Sequence, residues 1–188
     1  MRLFVALLPP ASVTAELGRE VERLRPLVEA ERLRWTDPAG WHITLAFLGE
    51  LEPARLPGLG RRLERAARRH PPLRLRLRGG GRFGDRALWT GVDGDRRPLS
   101  LLAASVAAGS HRAGAEVTRG GAFRAHLTLA RAQGKGAELG PAVAALAHFT
   151  GAEWTAGEVS LVRSHLPAGG VPGARPRYEP LDSWALTG

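Results

Sequence analysis

A strand-like motif occurs twice in the sequence. Residues 41–50 read WHITLAFLGE and residues 125–134 read AHLTLARAQG. In both copies a histidine is followed by one apolar residue, a threonine and then Leu-Ala, and the two histidines, His42 and His126, are 84 positions apart. A repeated unit of this length limits the fold, because each copy must take an equivalent place in a duplicated architecture.

The spacing around the two motifs supports an internal duplication. Phe4 precedes His42 by 38 residues, and Trp89 precedes His126 by 37. Each interval holds one predicted strand, one predicted helix and the approach to the histidine strand. We therefore predict an α+β fold in which two mostly antiparallel sheets face a central cleft, with helices on the outside. Residues 1–188 would form one bilobal domain, with approximate lobes 1–80 and 81–188 and some exchange of strands between them.

Periodicity and turn residues predict the individual elements. Strands are expected at 2–10, 33–40 (with a turn), 41–50, 73–78, 86–92, 120–131, 157–166 and near 178–184. Helices are expected at 11–30, where Pro26 would bend or end the helix, and at 53–69, 96–112 and 136–149.

Alternation along a strand places each histidine beside a threonine. Residues i and i+2 of a strand point to the same face, so His42 shares a face with Thr44, and His126 with Thr128. The opposite, core face would hold the apolar residues Ile43, Leu45, Phe47, Leu127 and Leu129. If the two lobes face each other, two imidazoles and two hydroxyls would surround one site.

Two imidazoles suit phosphate-ester chemistry. One neutral ring can accept a proton from a nucleophile, and a second, protonated ring can give one to a leaving oxygen. Threonine hydroxyls and backbone N–H groups can hold phosphoryl oxygens. Glu50 is the only carboxylate near either motif, so a metal site is disfavoured and no cofactor is expected.

Composition excludes several classes of protein. The chain has no cysteine, which rules out disulfides and thiolate chemistry and favours a cytoplasmic location. No apolar run reaches the roughly 18 residues needed to cross a bilayer. The apolar start is followed by Pro9-Pro10 and a charged helical segment, so we predict no targeting segment and no membrane association.

The charge of the chain favours polyanionic partners. The formal net charge is +9, and Lys135 is the only lysine. Nine arginines lie from Arg55 to Arg78. This run has two interpretations, a solvated basic surface or a surface that holds RNA phosphates.

The motifs HITLAFLG and HLTLAR, separated by about 80 residues, resemble those of the two-histidine (2H) phosphoesterase superfamily. They are most similar to its LigT-like branch, the RNA 2′,3′-cyclic phosphodiesterases, also called 2′-5′ RNA ligases. RLFVALLPP, LRWTDPAG, RFGDRALWTGV and LVRSHL resemble other segments of that branch. One departure is Ala125, since members often carry proline before the second histidine.

The resemblance implies a bilobal fold and metal-independent opening of 2′,3′-cyclic phosphate ends of RNA to 2′-phosphates. It also implies reversible, ATP-independent joining of tRNA halves through 2′-5′ linkages. By position, His42 with Thr44 and His126 with Thr128 are the catalytic pairs; the family assigns proton removal from water to His126 and protonation of the 3′ oxygen to His42.

Further substrate contacts are expected at four positions. Arg131 matches a phosphate-binding arginine of the branch, but it lies five residues after His126, so strict alternation turns it away from the site. It reaches the site if the strand bulges or ends around Ala130, or if its side chain wraps round the edge. Phe4 and Phe83 are candidates for stacking on a terminal base, and Arg34 for lining the substrate trench.

Three alternative functions remain open. The same site could act mainly as an RNA ligase on tRNA halves. The chain could instead be a non-catalytic RNA-binding module, or a cyclic phosphodiesterase for small nucleotides such as ADP-ribose cyclic phosphate. We expect a monomer in each case.

Overall fold

The structure, a computed structural model, describes residues 1–29, 31–118, 122–166 and 175–188. In this part of the chain the strands are β1 (Arg2–Leu7), β2 (Leu33–Trp35), β3 (Ile43–Glu50), β4 (Leu73–Phe83), β5 (Ala87–Gly94), β6 (His126–Ala132), β7 (Trp154–Ala156), β8 (Glu158–His165) and β9 (Arg177–Ala185). The α-helices are α1 (Ala11–Leu24), α2 (Leu56–Ala67), α3 (Arg96–Arg112) and α4 (Gly140–Leu146).

The strands form one antiparallel sheet with two halves. Its order is β7-β4-β5-β6-β3-β1-β8-β9, and β2 pairs with the edge of β6 opposite β5. The halves meet where β3 pairs with β6, through the single pair Ile43 and Leu127. The α+β class and the antiparallel halves are confirmed, with one difference from the prediction: the two sheets are continuous through this pair.

The halves do not follow the order of the chain. The predicted lobe boundary at residues 80 and 81 falls inside β4, which pairs with β5 and β7. The late strands β8 and β9 lie on the other side, where β8 pairs with β1 and β9 with β8. The half formed by β3, β1, β8 and β9 therefore combines N-terminal and C-terminal strands, whereas β4 to β7 of the other half lie between residues 73 and 156.

Glycines explain why β4 continues beyond the predicted end at Arg78. A Cβ on Gly81 would meet the Trp89 indole at 2.4 Å, and one on Gly80 would meet Leu146 at 2.5 Å. Gly79 has φ +59 and lies at a bulge in the pairing with β5. The glycine run therefore lets the strand bend and gives room to a helix and to an indole that contacts His126.

The helices cover one face of the sheet. The buried stripe of α1 comprises Val13, Leu17, Val21 and Leu24, and the helix ends there because Pro26 opens a 3-10 turn at Arg25–Leu27. α3 has the predicted bounds, packs on α2 and β3, and buries Leu99, Leu102 and Val106. Each fully buried leucine or valine contributes roughly 1.5–3 kcal/mol relative to exposure. No helix of the described part is long and apolar enough to span a membrane.

Candidate active site

Both His-Thr pairs line one cavity, of about 460 Å³, where the two halves of the sheet meet. Of the described residues, none in α1–α4 contributes to its wall, so the cavity lies on the face of the sheet that the helices leave uncovered. The residues that line it include His42, Thr44, His126, Thr128, Arg131, Phe4, Phe47 and Tyr178.

The junction between the halves sets the arrangement of the pairs. Ile43 pairs with Leu127, and each of these residues directly follows a histidine. In an antiparallel pair, this register directs His42 toward Thr128 and Thr44 toward His126. The two motifs therefore supply one site with two imidazoles and two hydroxyls, as the duplication predicted.

Each imidazole is held by a hydrogen bond to the backbone carbonyl two residues before it in the chain. Nδ1 of His42 lies 2.6 Å from the carbonyl oxygen of Gly40, and Nδ1 of His126 lies 2.7 Å from that of Arg124. A carbonyl can only accept, so Nδ1 carries the proton and donates it in each ring. The neutral tautomer therefore leaves Nε2 unprotonated, and each Nε2 is the nitrogen that can exchange a proton with a ligand.

Burial and charge lower the pKa of both histidines. Desolvation is the largest cause for His42, and the Arg131 cation adds to it, bringing its pKa from 6.5 to about 4 although the bond to Gly40 opposes the shift. Desolvation also lowers the pKa of His126, again with help from Arg131 and against the bond to Arg124. Both rings are consequently neutral at pH 7 in the free protein.

A bulge follows each motif and changes the face of the residues beyond it. Val5 pairs with Ala46 and Ala6 with Thr44, which leaves Leu45 unpaired on β3. Because the side-chain phase shifts by one residue there, Phe47 turns out of the core and into the cavity, and its ring is 50% exposed. The prediction that Phe47 belongs to the core face was wrong for this reason.

The equivalent bulge on β6 brings Arg131 to the site. Leu88 pairs with Ala130 and Trp89 with Thr128, so Leu129 is left unpaired. Arg131 lines the cavity, and its charge acts on both histidines. The condition stated from the sequence, a bulge near Ala130, is therefore met.

Aromatic rings enclose the His42 imidazole. Phe4 lies 4.5 Å from it between ring centroids, and Tyr178 lies 5.1 Å away, edge-on. Phe4 is only 3% exposed, so it supports His42 and offers little area to a base. Tyr178 was missed as a site residue, because a proline- and glycine-rich stretch precedes it and no local pattern indicates which strand it joins.

A second aromatic pair lies against the His126 imidazole. Phe83 lies 4.9 Å from His126, edge-on, and Trp89 lies 5.9 Å from it. Phe83 is half-buried and is not among the residues that line the cavity. The structure therefore places Phe83 beside a catalytic candidate and not on the cavity wall.

The candidate arginines lie in two different regions of the structure. Arg34 lies on β2, opposite Arg131, and lines an adjoining cavity and not the cavity of the histidines. The arginines from Arg55 to Arg78 lie on and around α2 and on β4, and none of them lines the histidine cavity. In the described residues, no group of three or more His, Cys, Asp or Glu side chains is placed to hold a metal ion.

Comparison with known proteins agrees with this geometry. Residues 9–167 match the family model of the 2′-5′ RNA ligase superfamily. A relative from Thermus thermophilus, named RNA 2′,3′-cyclic phosphodiesterase, is 33% identical over 199 residues, which cover 100% of this chain and 91% of the relative. A relative of the same name from Archaeoglobus fulgidus is 30% identical and covers 74% and 77% of the two chains.

Solved structures share the whole fold. The crystal structure of TT0787 of Thermus thermophilus superposes with a TM-score of 0.80 at 30% identity and covers 100% of this chain and 99% of that one. Apo LigT of E. coli gives a TM-score of 0.75 at 26% identity and covers 100% and 98%. These matches confirm the resemblance seen in the motifs, and the chain belongs to the 2′-5′ RNA ligase superfamily.

Proposed function

We propose that the protein hydrolyses the 2′,3′-cyclic phosphate at the end of an RNA chain to a 2′-phosphate, with His42 and His126 as the proton-transfer groups. The observation that carries this proposal is the pair of imidazoles with unprotonated Nε2 atoms on one cavity, each beside a threonine. The names of the relatives, RNA 2′,3′-cyclic phosphodiesterase, support the choice of substrate.

The reaction needs one proton acceptor and one proton donor. Water attacks phosphorus while Nε2 of His126 takes its proton, and a new P–O bond forms. The bond between phosphorus and the 3′ oxygen breaks, and protonated His42 gives its Nε2 proton to that oxygen. The products are a 2′-phosphate and a 3′-hydroxyl, and the proton on His126 returns to solvent as the two rings reset. This division of roles is the one that the family resemblance implies.

Arg131 and the threonines stabilise the charge that develops during the reaction. Arg131 carries a fixed cation within electrostatic range of both rings, so it attracts an anionic phosphate to the position between them. Thr44 and Thr128 can donate hydroxyl hydrogen bonds to the non-bridging oxygens.

The substrate must help to protonate the donor. With a pKa of about 4, His42 is rarely protonated near neutral pH in the free protein. A bound phosphate anion favours the charged ring and offsets the effect of Arg131, so the pKa of His42 rises when substrate occupies the cavity. His42 therefore carries a proton to donate mainly when a substrate is bound.

Phe47 gives the cavity an apolar wall. Its half-exposed ring lies on the His42 side and contacts Phe4, with 6.3 Å between centroids. A nucleoside carries flat apolar surface next to its phosphate, and an exposed aromatic ring can stack on it. We assign Phe47 this role, in place of the stacking predicted for Phe4.

The same site could also join RNA ends if a 5′-hydroxyl replaces water as the nucleophile. His126 would take the proton of that hydroxyl, the bond between phosphorus and the 3′ oxygen would break, and His42 would protonate the 3′ oxygen, which leaves a 2′-5′ linkage. In the reverse direction, with the two roles exchanged, the linkage is cleaved back to the cyclic phosphate. The monomeric state and the cytoplasmic location stay predictions.

The test is the product of a short RNA that ends in a 2′,3′-cyclic phosphate, incubated in EDTA and followed by phosphorus NMR. We expect conversion to a terminal 2′-phosphate at a rate that EDTA leaves unchanged. A terminal 3′-phosphate would contradict the proposed bond cleavage. Salt-sensitive binding without turnover would instead favour a non-catalytic RNA-binding module.

A further inference from the structure

A second cavity adjoins the histidine cavity. It has a volume of about 330 Å³ and is bounded by β2, the turn that follows it, and the start of β9. The two cavities share Thr36, Gly40, Arg131, Pro176 and Tyr178 as lining residues. A ligand that extends from the histidine cavity past Arg131 and Tyr178 therefore enters the second cavity directly.

The second cavity is strongly cationic. Among the described residues, four arginines line it, Arg34, Arg131, Arg175 and Arg177, and one carboxylate, that of Asp37. Asp37 lies 3.9 Å from Arg175, the outer limit of an ion pair between two exposed side chains, so it neutralises little of this charge. The excess of positive charge favours an anionic occupant.

Two of these arginines place like charges on neighbouring strands. Arg34 on β2 lies directly opposite Arg131 on β6 in the strand register. Like charges at directly opposed positions of a strand pair destabilise the pair. An anion held between the two guanidinium groups would remove that repulsion.

We propose that this cavity, called here the arginine cavity, binds the phosphate on the 5′ side of the terminal nucleoside, while the histidine cavity holds the cyclic phosphate. The proposal rests on the function proposed above and deepens it. Successive phosphates of a nucleotide chain are separated by one nucleoside, and Arg131, which borders both cavities, stands between the two sites. Planar guanidinium groups suit phosphate oxygens, because each can donate two parallel hydrogen bonds.

The experiment compares three substrates. The first is a nucleoside 2′,3′-cyclic phosphate with a free 5′-hydroxyl. The second is a dinucleotide that ends in the same cyclic phosphate, and the third is that dinucleotide with an uncharged methylphosphonate linkage. We expect kcat/KM for the charged dinucleotide to exceed that for the other two by on the order of 10-fold, as the loss of one charge-assisted hydrogen bond would give.

Two single variants locate the effect. Arg34→Gln and Arg177→Gln each remove a charge from the arginine cavity, and each should reduce the ratio of kcat/KM between the charged and uncharged dinucleotides toward one. Arg61→Gln removes the same charge from an exposed position on α2 and should leave the ratio as in the wild type. Using two variants keeps the test decisive if one of them fails to fold.

The outcomes separate the two proposals. If the wild type opens the mononucleotide but treats the charged and uncharged dinucleotides alike, the arginine cavity is not a phosphate site. The same conclusion follows if Arg61→Gln lowers the ratio as much as Arg34→Gln and Arg177→Gln do, because the effect is then one of net charge. If the wild type opens none of the three substrates, the proposed function and the second site both fail.

Discussion

The strands that carry the two His-Thr motifs, β3 and β6, have the same backbone features but different side chains at one position in the cavity. Each histidine donates Nδ1–H to the carbonyl two residues earlier, and each strand has a bulge three residues after its histidine. The bulge turns the residue five positions after the histidine into the cavity in both cases. That residue is Phe47 on one strand and Arg131 on the other.

This difference shows how a symmetric frame can serve an asymmetric substrate. The shared features place two equivalent proton-transfer groups, which a displacement at phosphorus requires. The residues at the fifth position are not equivalent: one is a cation and the other an apolar ring. A nucleotide also has an anionic phosphate and an apolar base, so each half of the sheet matches one part of it.

The largest effects are expected at the shared positions. His42→Ala and His126→Ala should each lower kcat by roughly 10²–10⁴-fold on an RNA ending in a 2′,3′-cyclic phosphate, because each removes one proton transfer. His111→Ala, at an exposed position near the end of α3, is the matched control and should keep wild-type activity. Activity near the wild-type rate in either site variant would show that the two strands do not share the chemistry.

The next largest effect is expected at Arg131, the fifth residue after the histidine on β6. Arg131→Gln should lower kcat/KM by roughly 10- to 100-fold, since it removes a charged hydrogen-bond donor to phosphate. It should also move the pH profile of kcat/KM to higher pH, because Arg131 lowers the pKa of both His42 and His126. A loss of rate with an unmoved profile would show that Arg131 does not act on the rings.

A smaller effect is expected at the matching position of the other strand. Phe47→Ala removes stacking and no charge, so kcat/KM should fall by about 10-fold or less while the pH profile stays in place. Phe47→Leu, which keeps apolar bulk without an aromatic face, is the control for the stacking itself. A shift of the profile in Phe47→Ala would mean that the ring acts by enclosing His42.

The last effect concerns stability and not rate. A histidine whose pKa is lower in the folded protein stabilises it above the unfolded pKa and loses that stabilisation as pH falls. For His42, with values of 6.5 and about 4, the free energy of unfolding should drop by about 2 kcal/mol between pH 7 and pH 5. Urea unfolding at both pH values should show a drop smaller by this amount in His42→Ala than in His111→Ala, and equal drops would contradict the buried, neutral state of His42.

Local patterns were sufficient for most of the fold. α3 was predicted with its observed bounds, since its apolar spacing ends at a cationic last turn. Pro26 indicated where α1 ends. The sequence also placed His42, Thr44, His126 and Thr128 together, because a duplicated strand repeats its side-chain directions.

The features that local sequence patterns did not predict depend on how each strand pairs with its neighbours. The bulges at Leu45 and Leu129 arise from registers with β1 and β5, so strict alternation misplaced Phe47 and left the position of Arg131 conditional. The three-residue strand β7 was missed, since only pairing with β4 defines it. Tyr178 reaches His42 from a strand that joins the sheet at its far edge, a contact that depends on the tertiary arrangement alone.

The central claim is that one imidazole accepts a proton and the other donates one around a single phosphate. It is tested most directly by kcat/KM measured from pH 3 to pH 9 in EDTA on an RNA ending in a 2′,3′-cyclic phosphate. We expect a bell-shaped profile with a maximum below pH 6.5, because the pKa values of both His42 and His126 are lowered. A profile with a single limb, or one that EDTA abolishes, would contradict the two-histidine mechanism.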